Sequence, residues 1–183
     1  MFQAYGVYDL PFGRGRKFLN NLNPVVERVI GGFELAGLTV WESGRPFTVY
    51  SGINTISSVV QATANCSGCT PDLGSVVQES GTNFFFTQDQ RSKFSFPAPG
   101  QLGNTGRNFF TGPPLFRMDL TVGKKILLTE GSNLEFRAEM QNVTNSPSFA
   151  FPTAVFTSST FGRIRDSVVS SSRHIQLAVK LNF

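Results

Sequence analysis

The chain has 183 residues, a formal net charge of +4 and a charged fraction of only 15%. It contains no run of about 18 apolar residues, which excludes a transmembrane helix, and its basic residues are too dispersed to predict a nucleic-acid partner. The 19 phenylalanines, set among Ser, Thr, Asn and Gly, favour strands and turns over helices.

The first two strand candidates lie near residues 1–12 and 29–50. The first is rich in Tyr, Val, Phe and Leu, and a flexible basic stretch of about sixteen residues connects it to the second. The second alternates imperfectly, and Gly31-Gly32 and Ser43-Gly-Arg-Pro46 interrupt it. Because residues 1–6 do not resemble a secretory signal, we expect an exported chain of this kind to be a fragment whose start lies upstream.

Residues 51–114 form a stretch of about sixty residues without convincing periodicity, a length that needs a functional or architectural reason. The aromatic residues around it are candidates for a girdle at a membrane interface, with ordinary surface or core positions as the alternative. They are Trp41, Tyr50, Phe109 and Phe110.

Regular alternation returns in the third and fourth strand candidates, near 114–129 and 133–145, which the tight turn Thr129-Glu-Gly-Ser-Asn133 joins. In both strands most even-numbered residues are apolar and most odd-numbered residues are polar. A second loop then leads to a fifth candidate at 173–183, where every odd position from Ile175 to Phe183 is apolar. About 9–11 alternating residues suffice for a tilted strand to cross a bilayer.

These patterns predict an all-β fold, an antiparallel meander of about five strands that forms part of a transmembrane β-barrel with long extracellular loops. Residues 1–183 would be a single, incomplete carboxyl-terminal barrel segment, since the smallest closed barrels have about 8 strands. The polar positions predicted to face the lumen are Arg117, Asp119, Glu135, Arg137, Glu139 and Lys180. The alternative is an extracellular β-sandwich for binding or adhesion, in which the apolar faces pack together.

Cys66-Ser-Gly-Cys69 has the spacing that redox sites, zinc sites and short disulfides share. Zinc would need two further Cys or His ligands, and His174 is the only histidine. A disulfide that stiffens a loop in an oxidising compartment is the leading interpretation, with free thiols and metal or redox chemistry as the alternatives. No cofactor is predicted.

No arrangement of residues predicts an enzyme. His174 could act as a general base only beside a nucleophile, and no Ser or Cys motif is tied to it. Glu135 and Glu139 could form a glycosidase pair, but a cross-strand charge ladder that includes Arg117, Asp119 and Lys180 explains them better.

Several motifs follow one another along nearly the whole chain, except in residues 53–98. They are Tyr8-Asp-Leu-Pro-Phe-Gly13, Gly31-Gly-Phe-Glu-Leu-Ala-Gly37, Ser43-Gly-Arg-Pro-Phe-Thr48, Leu102-Gly-Asn-Thr-Gly-Arg-Asn108, Gly112-Pro113, Asp119-Leu120, Phe136-Arg-Ala-Glu139, Asn142-Val-Thr-Asn145, Phe149, Pro152, Phe161-Gly162 and Arg173-His-Ile-Gln-Leu177. In this order they resemble the carboxyl-terminal barrel of TonB-dependent outer-membrane receptors, particularly the Oar-like group.

The resemblance implies a barrel of about 22 strands around an amino-terminal plug, which imports scarce nutrients with energy relayed by TonB in the bacterial outer membrane. This chain would supply the last strands. Its partners would be outer-membrane lipid, the missing strands and plug, TonB through the absent amino-terminal region, and the barrel-assembly machinery. Phe183 is similar to the terminal signal that this machinery recognises. Transport by these residues alone is not expected.

Overall fold

A computed structural model of the protein describes residues 1–13, 15–19, 21, 23–129, 131–165 and 172–183. In chain order its elements are β1 (Phe2–Asp9), α1 (Pro24–Ile30), β2 (Phe33–Glu42), β3 (Pro46–Phe47), β4 (Asn65–Cys66), β5 (Val77–Glu79), β6 (Thr82–Phe84), α2 (Gln88–Arg91), β7 (Phe94–Ser95), β8 (Phe110–Thr111), β9 (Leu115–Leu127), β10 (Asn133–Gln141) and β11 (His174–Asn182). Neither described helix is long and apolar enough to cross a membrane.

The chain folds into two compact units. Unit 1 comprises Met1–Trp41, Phe116–Pro147 and Ser170–Phe183, and unit 2 comprises Glu42–Leu115 and Ser148–Val169. Each unit is therefore built from segments that are distant in sequence.

Unit 1 contains one five-stranded sheet in the order β1-β2-β9-β10-β11. The pairs β1–β2, β9–β10 and β10–β11 are antiparallel. A tight turn between β9 and β10 is closed by a hydrogen bond from Leu128 N to Ser132 O of 3.0 Å. This confirms the predicted all-β, antiparallel arrangement of five strands. The sheet is not closed, because β1 and β11 are its two edges.

The register of this sheet gathers apolar residues on one face. Leu134 of β10 lies opposite Ile126 of β9 and Leu181 of β11, while Ala138 lies opposite Val122 and Leu177. Side chains alternate between the faces of a strand, so the intervening residues lie together on the other, polar face. The strands of unit 1 form one sheet, rather than the two packed sheets of the sandwich alternative.

The second strand is shorter than predicted, because residues 24–30 form α1 and β2 begins at Phe33. The Asn23 side chain caps α1 by accepting a hydrogen bond from Val25 N at 3.0 Å, and Pro24 occupies the first turn. Gly32 has a φ of +73°, and its carbonyl accepts a hydrogen bond from Lys125 N at 2.8 Å. A side chain at Gly32 would collide with the Lys125 carbonyl, so glycine is required where the chain turns into the sheet.

Unit 2 has a packed aromatic core where the sequence predicts a loop without periodicity. Its short strands pair as β3–β8, β4–β7 and β5–β6. The core phenylalanines are buried and in mutual ring contact: Phe47, Phe85, Phe86, Phe94, Phe110 and Phe161. Phe110 is completely buried among them, so its placement in an aromatic girdle was wrong. Strands of two or three residues are too short to produce a recognisable alternation. This explains why the sequence did not predict that unit 2 is folded.

Candidate functional site

The polar face of the sheet brings together the six residues that the sequence predicts to line a lumen. Glu135 of β10 lies opposite Lys125 of β9 and Lys180 of β11. Glu139 lies opposite Thr121 and Gln176 on the same face. Opposite charges in directly paired positions favour this register, although exposed pairs contribute little individually.

The carboxylate of Asp119, on this face, accepts four hydrogen bonds from Arg117 and Asn142. Arg117 donates from Nε to both carboxylate oxygens, at 2.9 and 3.0 Å, and from Nη2 to Oδ2 at 2.7 Å. The backbone N–H of Asn142 donates to Oδ1 at 2.8 Å. Both side chains are only about a third or less exposed. A forked, partly shielded contact of this kind fixes both side chains more firmly than a single surface ion pair.

Asn142 continues this cluster into the turn that follows β10. Its Nδ2 donates to Ser146 O at 2.9 Å, and its Oδ1 accepts from Ser146 N at 3.0 Å. The residue is buried and has a φ of +49°, a conformation that Asn tolerates better than most residues. Asp119 and Asn142 together therefore tie the end of β10 to the middle of β9.

A second charged cluster lies on β10 itself. Arg137 Nη2 is 2.7 Å from Glu135 Oε1, and its Nη1 is 3.6 Å from Glu139 Oε1. The ion pairs of both clusters thus run along single strands, whereas the sequence predicts a ladder across strands. Within the described part of the chain, no ion pair of 4.0 Å or less joins the two clusters or includes Lys180.

In the described part of the chain, the residues considered for catalysis lie in ion pairs or at the surface. Glu135 and Glu139 both engage the same Arg137 guanidinium. The His174 ring lies 3.0 Å from Ser172 Oγ at an exposed position. Among the residues that the structure describes, no three His, Cys, Asp or Glu side chains are grouped so as to hold a metal ion.

Unit 2 contains a cavity of about 240 Å³ that sequence reasoning did not single out. Its lining is mostly apolar, with an ion pair of 3.2 Å between Arg45 and Glu42 as its charged part. The lining residues are Glu42, Ser43, Arg45, Pro113, Leu115, Phe149, Ala150 and Phe151. An apolar concavity with a few polar groups is the usual form of a small-molecule site.

Two close backbone approaches shape the wall of this cavity. Gly112 N donates to Arg45 O at 2.9 Å, beside the pairing of β3 with β8. A Cβ atom at Gly44 would collide with the Gly112 carbonyl, and one at Gly112 would lie 3.0 Å from the Phe151 ring. The motifs Ser43–Thr48 and Gly112-Pro113 therefore carried a signal for this site, because their glycines permit the contact.

Cys66 and Cys69 are joined by a disulfide, with their Cα atoms 5.6 Å apart. Cys66 is buried in the core of unit 2. Its backbone is held by Asn104, whose Oδ1 accepts from Cys66 N at 2.7 Å and whose Nδ2 donates to Cys66 O at 3.0 Å. The motif Leu102–Asn108 thus anchors the cysteine-containing strand, and the geometry indicates a structural role for both.

A family model described as an outer membrane beta barrel domain matches residues 1–176. The chain belongs to this family. This outer membrane β-barrel protein is located in the bacterial outer membrane, as its alternating strands predict. No curated protein and no solved structure matches it significantly.

Proposed function

We propose that this outer membrane β-barrel chain provides the carboxyl-terminal strands of a TonB-dependent receptor that imports a nutrient. The observation that carries the proposal is the series of receptor-like motifs, which follow one another in the receptors' order from the end of β1 through β2, unit 2, β9 and β10 to β11. The family match to a barrel domain supports it. The plug and the region that binds TonB would be supplied by other parts of the receptor.

In this receptor the apolar face of the sheet contacts lipid and the polar face lines the lumen. The apolar face carries Met118, Leu120, Phe136, Met140, Ile175, Leu177, Val179 and Leu181. The polar face carries Arg117, Asp119, Glu135, Arg137, Glu139 and Lys180. Further strands would pair with the free edges of β1 and β11, because exposed edges otherwise invite aggregation.

Unit 2 is the part of the chain that we assign to substrate contact. Its segments connect β2 to β9 and β10 to β11, so they form the long loops of the barrel. Its cavity would accept an apolar or aromatic part of the nutrient against Phe149 and Phe151. The proposal assigns no catalytic role to this chain, since Glu135 and Glu139 are engaged by Arg137.

Growth on limiting nutrients tests the receptor function. A strain without the intact receptor gene is compared with its complemented form on iron chelates, cobalamin and oligosaccharides. We expect one class to support growth only when both the receptor and TonB are present. Growth that depends on the receptor in a strain lacking TonB would overturn the proposal.

The cavity is tested with a matched pair of exposed phenylalanines. Phe151→Ala removes a lining side chain, and Phe96→Ala removes a similarly exposed ring that does not line the cavity. We expect only Phe151→Ala to raise the nutrient concentration needed for half-maximal uptake. Equal effects of the two substitutions would argue against a substrate site in this cavity.

A further inference from the structure

The connection between β1 and β2 presents apolar side chains outward. In α1, Val25 and Val29 are 68% and 65% exposed, and Val26 is also exposed. The carboxylate of Glu27 points the other way: its Oε2 atom is buried, and Gly13 and Gly31 pack closely against the side chain. A helix whose outer side faces water has the opposite arrangement, with its valines inside and its carboxylate outside.

Lys124 shows which side of the sheet α1 occupies. This residue lies opposite Phe136 and between Val122 and Ile126, so it belongs to the apolar face. Its Nζ donates to Val29 O at 2.7 Å and to Gly31 O at 2.9 Å, and lies 3.9 Å from the centre of the Phe33 ring. The carboxyl end of α1 is therefore held on the apolar side of the sheet, where its carbonyls accept hydrogen bonds from a charge that lipid would penalise.

The chain before α1 has the composition of a membrane-interface segment. Phe12, Phe18 and Leu19 are exposed, and Lys17 Nζ lies 5.6 Å from the centre of the Phe18 ring. Arg28 of α1 adds further positive charge, while Arg16 is paired with Asp9 at 3.1 Å. Apolar and basic residues in one short segment favour the boundary between phospholipid headgroups and acyl chains.

We propose that α1 and the exposed residues Phe12, Phe18 and Leu19 form an interfacial lipid-binding element. Val25, Val26 and Val29 dip towards the acyl chains, while the basic residues contact phospholipid phosphates. Lipid is the occupant because Lys124 holds the carboxyl end of α1, whose valines are exposed, on the apolar side of the sheet. This placement rests on the lipid-facing assignment proposed above for that face, and it is independent of TonB-dependent uptake.

Tryptophan fluorescence tests the placement, since Trp41 is the only tryptophan of the 183 residues. Val29→Trp is introduced in a Trp41→Phe background, and the variant protein is purified from outer membranes. The protein is then reconstituted in phosphatidylethanolamine–phosphatidylglycerol vesicles that contain phospholipids brominated near the headgroup or near the chain end. We expect blue-shifted emission and severalfold stronger quenching by the headgroup-proximal bromines.

Three further tryptophan variants serve as references. Val59→Trp replaces an equally apolar, exposed valine of unit 2 and should remain unquenched. Leu177→Trp and Gln176→Trp occupy neighbouring positions on the two faces of β11, and only Leu177→Trp should be quenched. These references report on the lipid-facing assignment separately from the position of α1.

Each outcome decides between the occupants. Quenched Val29→Trp beside quenched Leu177→Trp supports the interfacial element, whereas quenching of Val29→Trp alone overturns the lipid-facing assignment on which its placement rests. Unquenched Val29→Trp beside quenched Leu177→Trp overturns the element and retains the lipid-facing sheet, whereas loss of both signals overturns both assignments. Blue-shifted but unquenched Val29→Trp would place a protein partner or second copy on the valines. If Val29→Trp does not fold, a nitroxide label on Val25→Cys tests the same placement. The measured quantity is the accessibility of the label to lipid-soluble oxygen compared with its accessibility to a water-soluble nickel chelate.

Discussion

At the scale of single residues, Asp119 illustrates how this chain places charge within a sheet. The carboxylate accepts three contacts from Arg117 and one from the backbone of Asn142. Such a group holds a partly shielded guanidinium and a turn at the same time. Its loss therefore leaves two sets of donors without their acceptor, which costs more than the loss of an exposed ion pair.

We expect Asp119→Ala to destabilise the protein by about 1–3 kcal/mol, because the Arg117 side chain and Asn142 N–H lose a charged acceptor. The urea midpoint of the reconstituted protein measures the change. Asp72→Ala, at an exposed position in unit 2, is the control and should leave the midpoint unchanged. Equal midpoints for the two variants would contradict the role of Asp119.

The disulfide between Cys66 and Cys69 leads to a prediction about labelling. Because Cys66 is buried and its backbone is clamped by Asn104, we expect its thiol to resist alkylation until a reductant and denaturant are added together, whereas the half-buried Cys69 should react once a reductant alone is present. Mass spectrometry of the alkylated peptide checks this. Labelling of the native protein without a reductant would show free thiols instead.

At the scale of elements, the long alternating strands could be predicted from the sequence, and the short elements could not. β9, β10 and β11 each repeat the alternation over at least nine residues, so the signal accumulates. Of the residues in α1, only Val29 and Ile30 fell within the strand predicted near 29–50, and the Asn23 cap with Pro24 was the signal for a helix. The outward valines of α1 also removed the usual pattern of an apolar inner face.

The candidate functional site likewise has a part that the sequence pattern predicts and a part that it does not. The six polar residues were found because alternation assigns them to one face. Their ion pairs depend on side-chain reach along the strand, which alternation does not specify. The cavity depends on residues near 42–45, 113–115 and 149–151 that the fold of unit 2 brings together. The glycines of the motifs Ser43–Thr48 and Gly112-Pro113 indicated a close backbone contact, but not which segments meet there.

The aromatic core of unit 2 leads to a prediction at the scale of elements. Phe86 is fully buried and contacts the rings of Phe47, Phe85, Phe94, Phe110 and Phe161. Phe86→Ala should destabilise the unit by about 3–5 kcal/mol through cavity formation. Limited trypsin digestion should then cleave near Arg91 and Lys93, while the exposed Phe96→Ala control stays resistant. Unchanged resistance of Phe86→Ala would show that this core does not hold the unit together.

At the scale of the whole molecule, the open sheet makes assembly the critical step. β1 and β11 are free edges, and a closed barrel needs at least about 8 strands. In the proposed receptor, β11 would therefore pair with a further strand while its apolar positions contact lipid. Phe183 lies beyond β11 and its side chain is fully exposed, so it adds no packing to the described sheet.

This position makes deletion of Phe183 informative. Because the side chain contributes no packing within the described residues, its deletion should leave the stability of the folded protein almost unchanged. If Phe183 is the signal for the barrel-assembly machinery, deletion in the intact receptor should lower its outer-membrane level severalfold. Quantitative blotting of membrane fractions measures that level, and the urea midpoint of the surviving fraction measures stability. Phe183→Tyr keeps an aromatic terminus and should preserve assembly, whereas unchanged levels after deletion would remove the signal role.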